Sequence, residues 1–209
     1  MSYYGNEYER RTLMNIEALY FQKYFYFKHL NQSSSEHSVT YWVKLSRDIE
    51  LHRLMYALVD VVQNQPVLRT QFVTDDFNQL KINLRDFFPF IEIKEVNEMS
   101  QSIDLEAFFT RNLNSYHFNQ LPLFNFKIYQ FLDDAYLLLD FHATIFNESQ
   151  LTPFLQQLNI AYTHSLKSEY SISDFYNWIK EMNQKMDQNQ VVCPSKHFNV
   201  LNADGDNYA

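Results

Sequence analysis

Only two glycines occur in the 209-residue chain, Gly5 and Gly205, and both lie close to a terminus. Loops that cradle nucleotide phosphates need glycines where the backbone approaches the phosphate closely. No such loop is available inside the fold, so the sequence excludes Rossmann and Walker-type nucleotide sites. Hydrophobic residues make up 46% of the chain, which is enough for the core of one globular domain.

Charge and cysteine content exclude further classes of protein. The chain has 25 acidic and 17 basic residues, a net charge of -8, and the basic residues are scattered. Nucleic-acid binding needs clustered Lys and Arg, so we expect no such partner. The single Cys193 excludes an internal disulfide, and the seven histidines lack metal-ligand spacing, so we expect neither metal nor cofactor. Without a secretory signal or a membrane-length apolar run, a cytoplasmic protein is expected.

Apolar residues spaced three or four apart predict five helices. The first covers residues 12–30, and the second follows Asp48, a plausible N-cap, and ends before Pro66. The remaining three are predicted near residues 102–114, 151–162 and 171–186.

Alternating apolar residues predict the strands. Ser38 to Leu45 is one, and shorter strands are predicted near residues 68–73, 79–84 and 90–96. Residues 122–141 predict a hairpin that turns at Asp133 and Asp134, with its second arm central in a sheet. Because helices and strands interleave around a hairpin, we expect an α+β fold, a two-layer mixed sheet with helices on one face.

One domain is expected over residues 12–187. Residues 1–11 are interpreted as an N-terminal extension, and residues 188–209 as a polar, flexible tail because they lack apolar periodicity.

The first predicted helix is rich in aromatic residues. We expect its stripe of Tyr20, Tyr24 and Phe27 to lie in the core. Phe21 and Tyr26 lie off that stripe and, together with Trp42, exceed what one small domain is expected to bury. Exposed apolar surface of this kind usually marks an interface.

The segment from Asp133 to Tyr162, DDAYLLLDFHATIFNESQLTPFLQQLNIAY, resembles the core block of condensation domains of nonribosomal peptide synthetases. That block is a hydrophobic strand, the motif HHxxxDG, and an amphipathic helix ending in Tyr. Three more segments agree in order: QPVLRTQFV from Gln65, LPLF from Leu121, and YSISDFYNW from Tyr170. The resemblance implies the N-terminal lobe of a two-lobed domain, each lobe folded like chloramphenicol acetyltransferase, with the active site between the lobes.

Aligned without a gap, the motif is degenerate. His142 takes the first His position, Ala143 replaces the second His, Asn147 replaces Asp, and Glu148 replaces Gly. In the family the second His is associated with catalysing amide formation, and the Asp pairs with an arginine, for which Arg69 is the candidate. Alanine can neither accept nor donate a proton, and Asn147 cannot form an ion pair.

Alternatives stay open at this point. A one-residue shift places His142 at the catalytic position and Ser149 on a family serine, but then Phe146 replaces Asp and Asn147 replaces Gly. His142 is either a residual base or a structural histidine at the strand end. Arg69 either organises the motif loop or is a surface arginine after a turn.

We therefore expect a stand-alone, degenerate condensation-domain lobe that acts in nonribosomal peptide synthesis as a non-catalytic binding protein. Its expected partners are a carrier protein or synthetase module, a separate C-lobe, or copies of itself; any phosphopantetheine is carried by the carrier protein. Carrier proteins are usually acidic, so a local basic patch is needed to offset the charge of -8. The alternatives are an amide-forming enzyme half completed by a second lobe, and a related fold with an unrelated small ligand.

Overall fold

The computed structural model describes residues 16–31, 38–113, 116–118, 120–164 and 172–187. The predicted N-terminal extension and C-terminal tail, including Cys193, lie outside these residues. Within them, no helix combines the length and the apolar character that crossing a bilayer requires. The helices are α1 (Tyr20–Asn31), α2 (Leu51–Asn64), α3 (Leu105–Arg111), α4 (Leu151–Thr163) and α5 (Ile172–Asp187). The strands are β1 (Ile16–Glu17), β2 (Ser38–Leu45), β3 (Thr70–Thr74), β4 (Leu80–Leu84), β5 (Glu92–Glu95), β6 (Phe124–Gln130) and β7 (Ala135–His142).

The larger sheet has the strand order β2-β7-β6-β5. Strand β7 pairs antiparallel with both β2 and β6, whereas β5 is parallel to β6, so the sheet is mixed as predicted. The hairpin and its central second arm are confirmed. His142, the last residue of β7, pairs with Ser38 of β2. This pairing fixes the position of His142 at the end of the strand.

Residues of β7 alternate between the two faces of this sheet. Phe141 belongs to the main core, where its ring lies 5.4 Å from that of Phe154 in α4. Tyr136 and Leu138 belong to a second, smaller cluster with Phe109 of α3. The α+β fold class is confirmed, and α3 adds a helix on the second face of the sheet.

A smaller sheet, in the order β1-β4-β3, contains the first difference from prediction. Ile16 was expected in the first helix, but it is a strand residue paired with Ile82 of β4. The helix begins at Tyr20, where the Gln22 side chain accepts a hydrogen bond of 3.0 Å from the Leu19 N–H. Pairing with β4 outweighs the helical spacing of Ile16, because tertiary contacts override local periodicity.

The orientation of α1 corrects a second prediction. Tyr20, Tyr24 and Phe27, expected in the core, are 67%, 54% and 47% exposed. The inward side carries Tyr26, whose ring lies 4.6 Å from that of Phe118 in the core. Aromatic residues occupy most positions of this helix, so their spacing alone does not select the buried side.

The tight turn between β3 and β4 forms without glycine. Asn78 adopts a positive φ of 57°, which asparagine tolerates better than most residues. The Asp75 carboxylate accepts hydrogen bonds from the N–H groups of Phe77 (3.0 Å) and Gln79 (2.8 Å). The hydrogen bond from the Gln79 N–H is the main reason why the pKa of Asp75 is lowered.

Helix α2 ends before Pro66, as predicted, but its predicted N-cap is wrong. Glu50 occupies the cap position and makes no capping bond through its side chain. Asp48 instead accepts a hydrogen bond from the Ser46 hydroxyl. The helix starts too late in the chain for Asp48 to reach the first free N–H groups. Residues Pro66–Arg69 then form a 3-10 turn, so β3 begins at Thr70 and not near Leu68.

Candidate functional site

The four motif positions lie in one segment between β7 and α4. Strand β7 ends at His142, and a 3-10 turn, Glu148–Gln150, leads into α4. The end of a central strand is a common place for functional side chains, because the rigid sheet positions them.

His142 is buried inside the fold. Its side chain has no exposed surface, and its backbone N–H donates to the Leu123 carbonyl at 2.9 Å. The imidazole contacts two aromatic rings edge-on, Phe118 at 4.8 Å and Tyr116 at 5.8 Å between centroids. These contacts separate the ring from solvent.

Thr144 contacts one nitrogen of the His142 ring. The Thr144 N–H points to Nδ1 at 3.1 Å, and the Thr144 hydroxyl lies 2.7 Å from the same atom. A backbone N–H is only a donor, so the tautomer that fits this contact has Nδ1 as acceptor and the ring proton on Nε2. In this arrangement Nδ1 is used within the fold and does not face a substrate.

Ala143 follows as the position of the missing second His. It is partly exposed, between the buried residues His142 and Thr144. Its partial exposure shows that position 143 reaches the surface, but a methyl group offers no acid–base chemistry.

Asn147 and Glu148 do not make the contacts of a catalytic motif. The Asn147 side-chain oxygen accepts from the Ser149 N–H at 3.0 Å and from its hydroxyl at 2.5 Å. The Gln150 side chain accepts from the Asn147 N–H at 2.8 Å, which completes a capping box. Ser149 lies within this turn, and Asn147 is its cap. Glu148 is exposed. Burial of Tyr41 is the main cause that raises the pKa of this tyrosine, and the Glu148 carboxylate is the second cause.

Arg69, the candidate partner of the motif, is buried, so the interpretation as a surface arginine is wrong. Its Nη1 donates to Asp86 at 2.7 Å, and the Arg69 and Asp86 side chains are 8% and 71% exposed. The hydrogen bonds of Asn147 described above remain within its own turn. Among the described residues Nε of Arg69 has no hydrogen-bond partner. A role for Arg69 in positioning the motif loop stays a prediction.

Sequence reasoning missed the polar groups next to His142. Asp140 is fully buried, and its Oδ1 accepts a hydrogen bond of 3.0 Å from the Thr40 hydroxyl on β2. Burial and then the Asp140 carboxylate raise the pKa of Tyr116 far above its ordinary value. An aspartate within the apolar run YLLLDF was the available signal, because a charge in a central strand needs dedicated partners.

A cavity of about 560 Å³ lies on the other side of the same segment. Its walls come from the start of α1, the 3-10 turn after α2, residues 145–150, α4 and α5. Most lining side chains are apolar, including Phe146, Phe154 and Trp178, and sequence analysis did not identify the cavity. The cavity forms where segments distant in sequence pack together, so local sequence patterns do not indicate it.

Metal binding finds no support in the described ranges, where no three His, Cys, Asp or Glu side chains gather into a possible metal site.

Comparison with known families identifies the class. Residues 16–196 match the family model of the condensation domain, and the chain belongs to this family. Comparison with curated protein sequences finds no match.

Solved structures agree on the fold. The chain is similar to the starter condensation domain of the rhizomide synthetase RzmA, with 13% identity and a TM-score of 0.68, over 81% of this chain and 43% of that chain. It is also similar to the first condensation domain of the CDA synthetase, with 9% identity and a TM-score of 0.69, over 82% of this chain and 46% of that chain. A variant of the RzmA domain in complex with C8-CoA gives 13% identity and a TM-score of 0.69, over 82% and 41%.

These comparisons confirm the chloramphenicol acetyltransferase-like fold expected from the resemblance. At such low identity they show the fold alone. The chain spans less than half the length of the condensation domains that it matches.

Proposed function

We propose that this chain is a condensation-domain lobe that binds components of nonribosomal peptide synthesis in the cytoplasm and does not itself catalyse amide formation. The observation that carries the proposal is the burial of His142, whose Nδ1 accepts a hydrogen bond from the Thr144 N–H inside the fold. A general base must lie within hydrogen-bond reach of the proton that it removes. Ala143, at the partly exposed position next to it, has no group to serve instead.

The proposed partner surface is the outer side of α1. Tyr20, Tyr24, Phe27 and Leu30 are large apolar side chains exposed on one helix, and exposed patches of this kind mark interfaces. Lys28, whose Nζ lies 5.9 Å from the centroid of the Tyr24 ring, adds positive charge there. The chain as a whole has a net charge of -8. This surface therefore suits an acidic carrier protein better than the rest of the protein surface does. A separate C-lobe or a second copy are the other partners.

A second candidate is an amide-forming enzyme half completed by another lobe. Partial exposure of Ala143 at the end of β7 favours it, because a catalytic group supplied by a partner can approach this position. In that case phosphopantetheine thioesters on carrier proteins would be the substrates, with no cofactor held by this chain.

The test is amide formation from acyl-loaded and aminoacyl-loaded carrier proteins. We expect the wild type and His142→Gln to give no product above the protein-free rate, while the wild type retains carrier protein on affinity resin. Leu30→Glu on α1 should abolish retention, and Tyr56→Ala, an exposed aromatic on α2, is the matched control. Product formation that His142→Gln abolishes would overturn the proposal. Light scattering of the purified chain distinguishes a self-associated state from a monomer.

A further inference from the structure

The cavity beside residues 145–150 has the size of a ligand site. Its volume of about 560 Å³ falls within the range of small-molecule pockets, roughly 300–1,000 Å³. Its walls come from segments far apart in sequence, so the cavity is a product of the tertiary fold. Such concave, largely apolar sites with a few polar groups are the usual places for small-molecule binding.

Aromatic rings form its rim. Phe21 and Trp178 are large apolar side chains left 42% and 47% exposed, although both line the cavity. The Trp178 ring stacks on Phe175 at 6.4 Å with an interplanar angle of 22°. Aromatic faces at the mouth of a pocket attract apolar groups and cations alike.

The described lining carries negative charge. Among the residues that the structure describes, Asp174 is the one ionisable side chain of the lining, and none of the others is Lys, Arg or His. Asp174 precedes Trp178 by four residues on α5, so both side chains share one face of the helix. A carboxylate beside an aromatic ring attracts a cation and repels an anion.

The neutral polar groups of the lining are engaged within the protein. The Gln65 amide donates to the Gln157 side-chain oxygen, and the Gln22 and Gln150 oxygens accept backbone N–H groups. Asp174 carries the ionisable group of the described lining, so we expect its carboxylate to decide selectivity for charge.

We infer that this cavity binds hydrophobic amines, that is, apolar molecules that carry one ammonium group and no carboxylate. The apolar part packs against the wall that Phe146 and Phe154 help to form, and the ammonium group remains at the rim near Asp174 and Trp178. This inference goes beyond the proposed function and does not depend on it, because it concerns a different side of the motif segment and requires no carrier protein.

Fluorescence of Trp178 gives a direct test. The chain has two tryptophans, so Trp42→Phe leaves Trp178 as the single reporter. Phenylpropylamine, phenylpropanol and phenylpropionate share one skeleton and carry a positive, no and a negative charge. We expect saturable changes in emission, with about tenfold weaker binding of the alcohol than of the amine and still weaker binding of the acid.

Variants identify the groups responsible. Asp174→Asn should remove the preference for the amine over the alcohol and retain binding of the alcohol. Trp178→Ala should abolish amine binding measured by calorimetry, whereas Tyr56→Ala, outside the described walls of the cavity, should not change it. The inference is overturned if the amine gives no saturable signal, if acid and amine bind equally, or if Asp174→Asn leaves the preference intact.

Discussion

Two sides of the segment after β7 contrast sharply. On the inner side, His142 is fully buried and Thr144 occupies its Nδ1. Four residues later, Phe146 lines an open cavity whose rim retains exposed aromatic rings. The contrast fits a structural role for the motif histidine, whose Nδ1 is bonded within the fold, and it agrees with the proposal that the chain binds and does not catalyse.

The largest predicted effect tests the inner side. His142→Ala removes a buried ring and leaves the Thr144 N–H without its acceptor, so we expect the free energy of unfolding to fall by about 2–4 kcal/mol. Trp178→Ala, on the half-exposed outer side, should cost less than about 1 kcal/mol. Urea denaturation measures both. Equal losses in the two variants would contradict the contrast between a packed inner side and an open outer side.

A middle-sized effect concerns Arg69. Asp86→Asn removes the carboxylate bonded to its buried guanidinium, and we expect a loss of about 1 kcal/mol, limited because water reaches the exposed Asp86. Asn147→Asp restores the family carboxylate and should not rescue Asp86→Asn, because Asn147 faces its own capping turn. The double variant, compared with both single variants in urea denaturation, decides this. Full rescue would show that Arg69 also reaches the motif loop.

The smallest effect at neutral pH is expected at Tyr129. Burial, followed by the Glu92 carboxylate, raises its pKa to about 12. A tyrosine whose folded pKa is raised contributes stability below its unfolded pKa of about 10, and this contribution is lost as the pH rises through 12. Within the described residues its hydroxyl has no hydrogen-bond partner. Tyr129→Phe should therefore change stability by less than about 0.5 kcal/mol at pH 7.

At pH 11 the same variant should be more stable than the wild type. Thermal unfolding at both pH values checks this expectation. An identical alkaline loss of stability in Tyr129→Phe and wild type would mean that other groups, such as Tyr116 with its raised pKa, account for it.

Comparing α1 with α2 shows how far sequence predicts this fold. In α2 the apolar residues follow one stripe, and Leu54, Leu58 and Val62 are buried as their spacing predicts. In α1 aromatic residues lie all around the helix, so periodicity could not select the side that Tyr26 fixes against the core. The hairpin β6–β7 was predictable because alternation, a polar turn and a continuous apolar run coincide.

Much of the site depends on tertiary contacts that local patterns do not contain. The motif segment was found by its resemblance, and its position at the end of β7 followed from the apolar strand. The bond of Arg69 to Asp86 and the cavity walls join segments that are far apart in sequence or lie in irregular turns. Burial of His142 depends on Phe118 and Tyr116, which come from a segment with no strand or helix pattern.

The central claim is that His142 is closed within the fold. Modification by diethyl pyrocarbonate, followed residue by residue with mass spectrometry, measures this directly, and exposed His52 on α2 is the internal reference. We expect His142 to react at least about a hundredfold more slowly than His52 in the folded protein, and at a similar rate in denaturant. Modification of His142 at the rate of His52 in the folded protein would contradict the account.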